Sequence, residues 1–197
     1  MTIFKKFFCI LFLAVMAGNS LFIAGCAYHW GTTTRSLPGG YKQVSIPVFK
    51  NTTQEVGIEV PFTNALIQEF QKSSLAKIVE DEKSDVQIVG EIFSLKYDSG
   101  GGGDQPSDSN YLPQGTVLAK SYNTTLDVRI RMIRKSDKVE LWSGNFRSER
   151  SYNAPSVTLS GVNSVNPLYN LSARRHNINL MSLDLMAEAY DRISENF

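Results

Sequence analysis

The sequence predicts an α+β domain, a two-layer sandwich with two helices on one face of a mixed, mostly antiparallel sheet of about four strands. Three observations predict it. Period-two stretches at 42–49, 85–97 and 116–135 read as strands, with 138–152 as a hairpin partner. Two stretches with apolar residues every three or four positions read as helices. The order strand, helix, three strands, helix lets two helices cover one sheet face.

The elements follow in chain order. In 42–49, Val44, Ile46 and Val48 alternate, and Pro47 makes this an edge strand or ends it there. In 60–74, Pro61 suits a first helical turn, and Phe62, Leu66 and Phe70 form the buried stripe, with Ser73 and Ser74 closing the helix. Residues 80–85, Glu-Asp-Glu-Lys-Ser-Asp, read as a solvated turn, since the spacing and central Gly of a calcium loop are missing. The next strand alternates at Val86 and Ile88, then shifts to Phe93, Leu95 and Tyr97, which marks a bulge near Gly90. Residues 98–115 hold four consecutive glycines and read as a flexible loop. No Lys-Ser/Thr follows to make a phosphate loop. In the long strand Tyr122, Thr124, Leu126, Val128, Ile130 and Met132 share one face, and Asp127, Arg129 and Arg131 the other. Residues 153–166 read as a polar loop, with a short turn at Asn166-Pro167. A final helix from about Asn177 to Glu195 buries Ile178, Met181, Leu185, Ala189 and Ile193.

The N-terminus has the three parts of a secretory signal. Lys5 and Lys6 precede the unbroken apolar run Phe7–Ala17, and small residues follow at Ala24 and Gly25. Gly18, Asn19 and Ser20 interrupt the run before it reaches the roughly 20 residues of a membrane span. Ile23-Ala24-Gly25-Cys26 resembles a bacterial lipobox, which implies cleavage before Cys26, a thioether-linked diacylglyceryl group and an acylated amine. Several acyl chains anchor stably where one is marginal. Cys9 lies in the leader, so the mature chain would hold Cys26 alone, and lipidation removes a free thiol from an oxidising compartment. Ala27, not Asp, follows, which points to the outer membrane. The expected organisation is a signal peptide over 1–25, a lipidated tether over 26–41 and a single α+β domain over 42–197.

Composition narrows the function. The chain of 197 residues is 42% hydrophobic and 20% charged, with net charge +1. Without its leader it carries 18 basic and 19 acidic residues, so it is no bulk binder of nucleic acid. His29 and His176 are the only histidines, and neither HExxH nor GxSxG occurs, so no enzyme, metal or cofactor is expected beyond the covalent lipid. The local charge is informative. Between 118 and 135 stand Lys120, Arg129, Arg131, Arg134 and Lys135 against Asp127 alone, with Lys96 on the neighbouring strand and Arg147 and Arg150 on the next. A solvated strand face that blocks edge aggregation explains this. So does a face for phosphate or carboxylate, which guanidinium forks match. Arg129 and Arg131 share parity and stand about 7 Å apart. Lys120 does not share it.

Several segments resemble the LptE family of lipopolysaccharide-assembly lipoproteins. Residues 26–31, Cys-Ala-Tyr-His-Trp-Gly, are similar to the family's opening after the lipobox, with Ala27 where Gly is usual. Ser45–Phe70 is similar to its I-P-x-F-x-N-x-T segment and first helix, and Ser84–Ile92 to its A-D-x-x-L-x-G-x-I strand, with Ser84 for Ala. Lys138–Phe146 is similar to its later Leu-Trp strand. The resemblance implies an outer-membrane subunit that assists and plugs the LptD β-barrel and contacts lipopolysaccharide, without catalysis. The alternative is another periplasmic accessory lipoprotein, such as an auxiliary subunit of a lipid transporter.

Overall fold

The computed structural model describes residues 35–103, 118–153 and 167–195. The leader, Cys26 and the first part of the tether lie outside the described residues, as do 104–117 and most of the 153–166 loop. Six strands form one sheet: β1 (Gln43–Ser45), β2 (Lys50–Asn51), β3 (Lys77–Ile78), β4 (Val86–Gly103), β5 (Leu118–Arg134) and β6 (Glu140–Asn153). Two helices, α1 (Glu59–Ser73) and α2 (Pro167–Ser194), complete the domain. The strand order is β3-β1-β4-β5-β6, with β2 beside β4.

The expected α+β class holds, with two corrections. The sheet has six strands, not four, and three of its five pairings are parallel. Strands β1, β2 and β3 have only two or three residues each, too few to show a period of two. They pair in parallel because α1 supplies the crossover from β1 to β3 and from β2 to β4. β2 begins only after the expected 42–49 strand, at Lys50, and of that strand only Gln43–Ser45 forms, short of Pro47, which has no N–H for a ladder. β1 ends at Ser45 rather than lying at an edge, since β3 flanks it. Residues Asp98–Gly103, expected in a loop, continue β4, because backbone pairing to β5 needs no side chains.

Helix α1 buries the expected Phe62, Leu66 and Phe70 together with Thr63 and Ala65. It ends at Ser74 in the left-handed region, φ 55°. Helix α2 starts ten residues earlier than expected, because Pro167 takes the first helical position, where its missing N–H costs nothing. The expected stripe Ile178, Met181, Leu185, Ala189 and Ile193 is buried, joined by Met186 and Tyr190. Phe70 meets Tyr190 edge-to-face at 5.0 Å near the C-terminal ends of the helices, while Arg174 of α2 reaches Glu55, just before α1, at 3.3 Å. The two helices therefore run in the same direction.

The helix-covered side of the sheet is apolar: Ile88 and Ile92 of β4 stand opposite Met132 and Val128 of β5, with buried Val86 and Ile130 on the same side. The register shifts between Ile92 and Ser94, a bulge at Phe93 rather than at Gly90. It returns Leu95 and Tyr97 to the helix side, as expected, and turns Phe93 to the opposite face, where it is 42% exposed. Arg35–Tyr41, at the end of the expected tether, packs on the domain: Leu37 is buried, and Ser36 N–H donates to the Ser194 carbonyl at 3.3 Å.

Candidate functional site

The face turned away from the helices carries no helix, and only at its β1 end does the 81–84 segment lie against it, at Ser45 and Gln87. Alternation aims Asp127, Arg129 and Arg131 of β5 onto it. Beside them lie Glu91, Phe93, Ser94 and Lys96 of β4 and Asn145 and Arg147 of β6. This is the face on which the expected Arg129–Arg131 pair stands.

Most of its charges are paired. Arg147 forks onto Asp127, with Nε at 2.6 Å and Nη2 at 3.3 Å from the two carboxylate oxygens. That hydrogen bond is the main reason Asp127 sits below the ordinary carboxylate pKa. Partial burial opposes it, and the Ser94 hydroxyl and the charges of Arg147 and Lys96 add to it. Lys50 pairs with Glu91 at 3.2 Å, and Arg131 approaches Glu140 at 4.0 Å. Arg129 differs. Its register partner Glu91 is held by Lys50, and among the described residues Arg129 makes no ion pair. Its Nε–H donates to Asn145 Oδ1 at 3.0 Å, and its guanidinium lies 5.4 Å from the centre of the Phe93 ring. Lys96 is exposed on the same face.

Of the other expected cations with described side chains, Lys135 borders this face at its β1 end and Arg134 stands on the other side. Arg134 shares the parity of Met132 and so points to the helix side, pairing with Asp137 at 3.3 Å. Lys135 pairs with Asp81 at 3.1 Å and also donates to the Asp81 carbonyl. There the 80–85 segment is more than a solvated turn. Asp81 accepts from Ser45 and Gln87 besides Lys135, and these hydrogen bonds, Ser45's first, lower its pKa. Ser84 is buried and donates to Ser45 Oγ at 2.9 Å. For Lys120 only the backbone is described, in β5. Arg150 lies on the helix side and pairs with Asp184 at 2.8 Å. The sequence reading missed Phe93 as a surface residue. The adjacent Ile92-Phe93 pair was the one available signal, since two neighbouring large apolar residues cannot both face inward without a bulge.

Among the described residues no three His, Cys, Asp or Glu side chains come together as a metal site, and no helix is long and apolar enough to cross a membrane. The fold and this face define a small two-layer α+β domain built to present a polar sheet surface. Comparison with known proteins makes the assignment specific. The sequence model of the LptE family, described as lipopolysaccharide-assembly, matches residues 41–193, and the chain belongs to that family. A search of curated proteins gives no match. Among solved structures the chain is similar to lipoprotein B of Nitrosomonas europaea, at 14% identity over 85% of this chain and 90% of that one, TM-score 0.50. It is also similar to a PelC variant dodecamer from Paraburkholderia phytofirmans, at 11% identity over 82% and 93%, TM-score 0.48.

Proposed function

We propose that this chain is a lipid-anchored outer-membrane lipoprotein, held on the periplasmic side by acyl chains on Cys26. In this reading it assists assembly of an LptD-like β-barrel, plugs its lumen and contacts lipopolysaccharide. The observation that carries the reading is the family match over residues 41–193, nearly the whole folded domain. The uncovered sheet face supports it. A polar surface whose charges are mostly paired suits the polar inner wall of a barrel. Arg129, unpaired among the described residues, offers one guanidinium to a phosphate or carboxylate, with Arg131 two residues away and Lys96 on the neighbouring strand. Lys120, Arg134 and Lys135 are secondary candidates, the last two already engaged by acids of this chain.

Pull-down in mild detergent with identification of the captured protein tests the reading. A large β-barrel is the expected partner. An inner-membrane ABC complex in its place would overturn it in favour of an auxiliary transporter subunit. Arg129→Glu with Arg131→Glu should leave the fold intact and weaken barrel capture or lipopolysaccharide binding in a salt-dependent way. Unchanged binding to both would leave the face a solvated surface. Mass spectrometry of the mature chain should show an acylated Cys26 as its first residue.

A further inference from the structure

The sheet has two edges of very different length. One is β3, of 2 residues. The other is β6, whose 14 residues run from Glu140 to Asn153. An edge strand carries a row of unpaired N–H and C=O groups, and proteins blunt such rows with short strands, lysine, proline or bulges. The β3 edge is blunted by its length. β6 contains neither Lys nor Pro. Its register shift lies at its start, between the Met132–Trp142 and Ile133–Glu140 pairs, and from Trp142 to Asn153 it pairs with β5 in unbroken register. Alternate residues along it turn their backbone groups away from β5. Among the described residues no backbone group outside β5 bonds to the β6 backbone. Pro38–Gly40 lies against β6 without such a bond, and the Asn177 amide reaches the Arg150 carbonyl at 3.3 Å from α2.

The side chains of this edge are complementary to those of a second copy. When two copies of one strand pair antiparallel about a two-fold axis, opposed residues lie on the same side of the joined sheet. Centred on Ser148, the pairing sets Arg147 of each copy opposite Glu149 of the other. Both side chains are exposed and lie on the face turned from the helices. Arg147 holds Asp127 through Nε and Nη2, which leaves Nη1 for a second carboxylate. The arginines of the same strand, Arg147 and Arg150, hold Asp127 and Asp184, and Glu149 makes no ion pair among the described residues. The adjacent registers are worse. Centring on Arg147 or on Glu149 sets that charge against its own copy, and like charges directly opposite each other destabilise a strand pair.

We propose that the β6 edge is an interface between two copies of this chain, paired antiparallel about Ser148 so that their sheets join into one. The pairing closes on itself and leaves only the short β3 edges open. Strand addition completes the backbone row, and two symmetric Arg147–Glu149 contacts set the register. The proposal stands independently of the barrel reading. It is tested by sedimenting the full chain over a concentration series in detergent, with micelles in excess over protein. A monomer–dimer equilibrium is expected. Ser148 lies on the axis, where opposed Cα atoms stand roughly 4.5–5.5 Å apart, within disulfide reach. Ser148→Cys should therefore cross-link under mild oxidation, with the parent chain as the background for Cys26. Ser151→Cys should not, because Ser151 opposes Asn145 of the second copy and lies about 20 Å from its own copy, six residues at roughly 3.3 Å each. Glu149→Lys replaces attraction by repulsion at both contacts, so it should weaken dimerisation about tenfold and slow the Ser148→Cys cross-link. Glu149→Gln should have the smaller effect of the two. A chain that is monomeric at every concentration would show the edge to be covered and would overturn the proposal. So would a dimer that Ser148→Cys fails to cross-link, that Ser151→Cys cross-links equally well, or that Glu149→Lys leaves unchanged, since its contact would then lie elsewhere.

Discussion

Gly90 has no room for a side chain. It sits on the helix side of β4, opposite Ile130, and a Cβ built there would lie 2.2–2.4 Å from three atoms of the Phe49 ring. Phe49 is 3% exposed, and its N–H donates to Thr63 Oγ1 of α1 at 3.0 Å, so neither its ring nor its backbone can easily withdraw. Gly90→Ala should therefore act as overpacking, costing about 1–3 kcal/mol. Phe49→Ala should open a cavity and cost about 3–5 kcal/mol. The two changes are coupled through the same space. With Phe49 truncated, the added methyl has somewhere to go, so the double variant should be no less stable than Phe49→Ala alone. The assay is urea unfolding of the four proteins, with midpoints compared at constant slope. A double-variant loss equal to the two single losses, within about 0.5 kcal/mol, would show the sites to be independent. That result would refute the claim that Gly90 is required by the ring of Phe49.

The bulge makes a contrast between neighbours. Phe93→Ser should change stability by less than about 1 kcal/mol, since the ring is largely on the surface and touches chiefly Arg129, whereas Ile92→Ser, at a fully buried site, should cost more than about 2 kcal/mol in thermal or urea unfolding. Equal losses would place both side chains inside. Asp127 has a lowered folded pKa, so its contribution to stability is present above the ordinary carboxylate value of about 4 and is lost as pH falls through the lower folded value. Asp127→Asn should flatten that acid limb in a pH series of unfolding midpoints and leave the slope between about pH 6 and pH 8 unchanged. Phe70→Ala should cost about 3–5 kcal/mol and loosen α1 from α2, because the ring is fully buried against Tyr190. Hydrogen exchange should then quicken at the C-terminal turns of both helices.

What the chain reveals by itself is whatever depends on neighbours within one turn or one pleat. The stripes Phe62-Leu66-Phe70 and Ile178 to Ile193, and the run Leu126 to Met132, each bury one side against a core, so their spacing carries the signal directly. The ordered motifs from Ser45 to Phe146 resembled the family for the same reason, being local. The tertiary structure alone decided features set by residues distant in the chain. Strands β1 to β3 exist because β4 and the α1 crossover hold them, and two or three residues have no period to read. The bulge at Phe93 is a register choice between β4 and β5, and it moved one aromatic ring from the core to the surface. The basic run from Lys120 to Lys135 looked like one patch because charge along a sequence is counted without partners. Folding brought Asp81 to Lys135 across 54 positions and Arg147 to Asp127 across 20, leaving Arg129 as the arginine of its face without an acid among the described residues. Charge pairing is a property of distance in space, and only the packed sheet sets those distances.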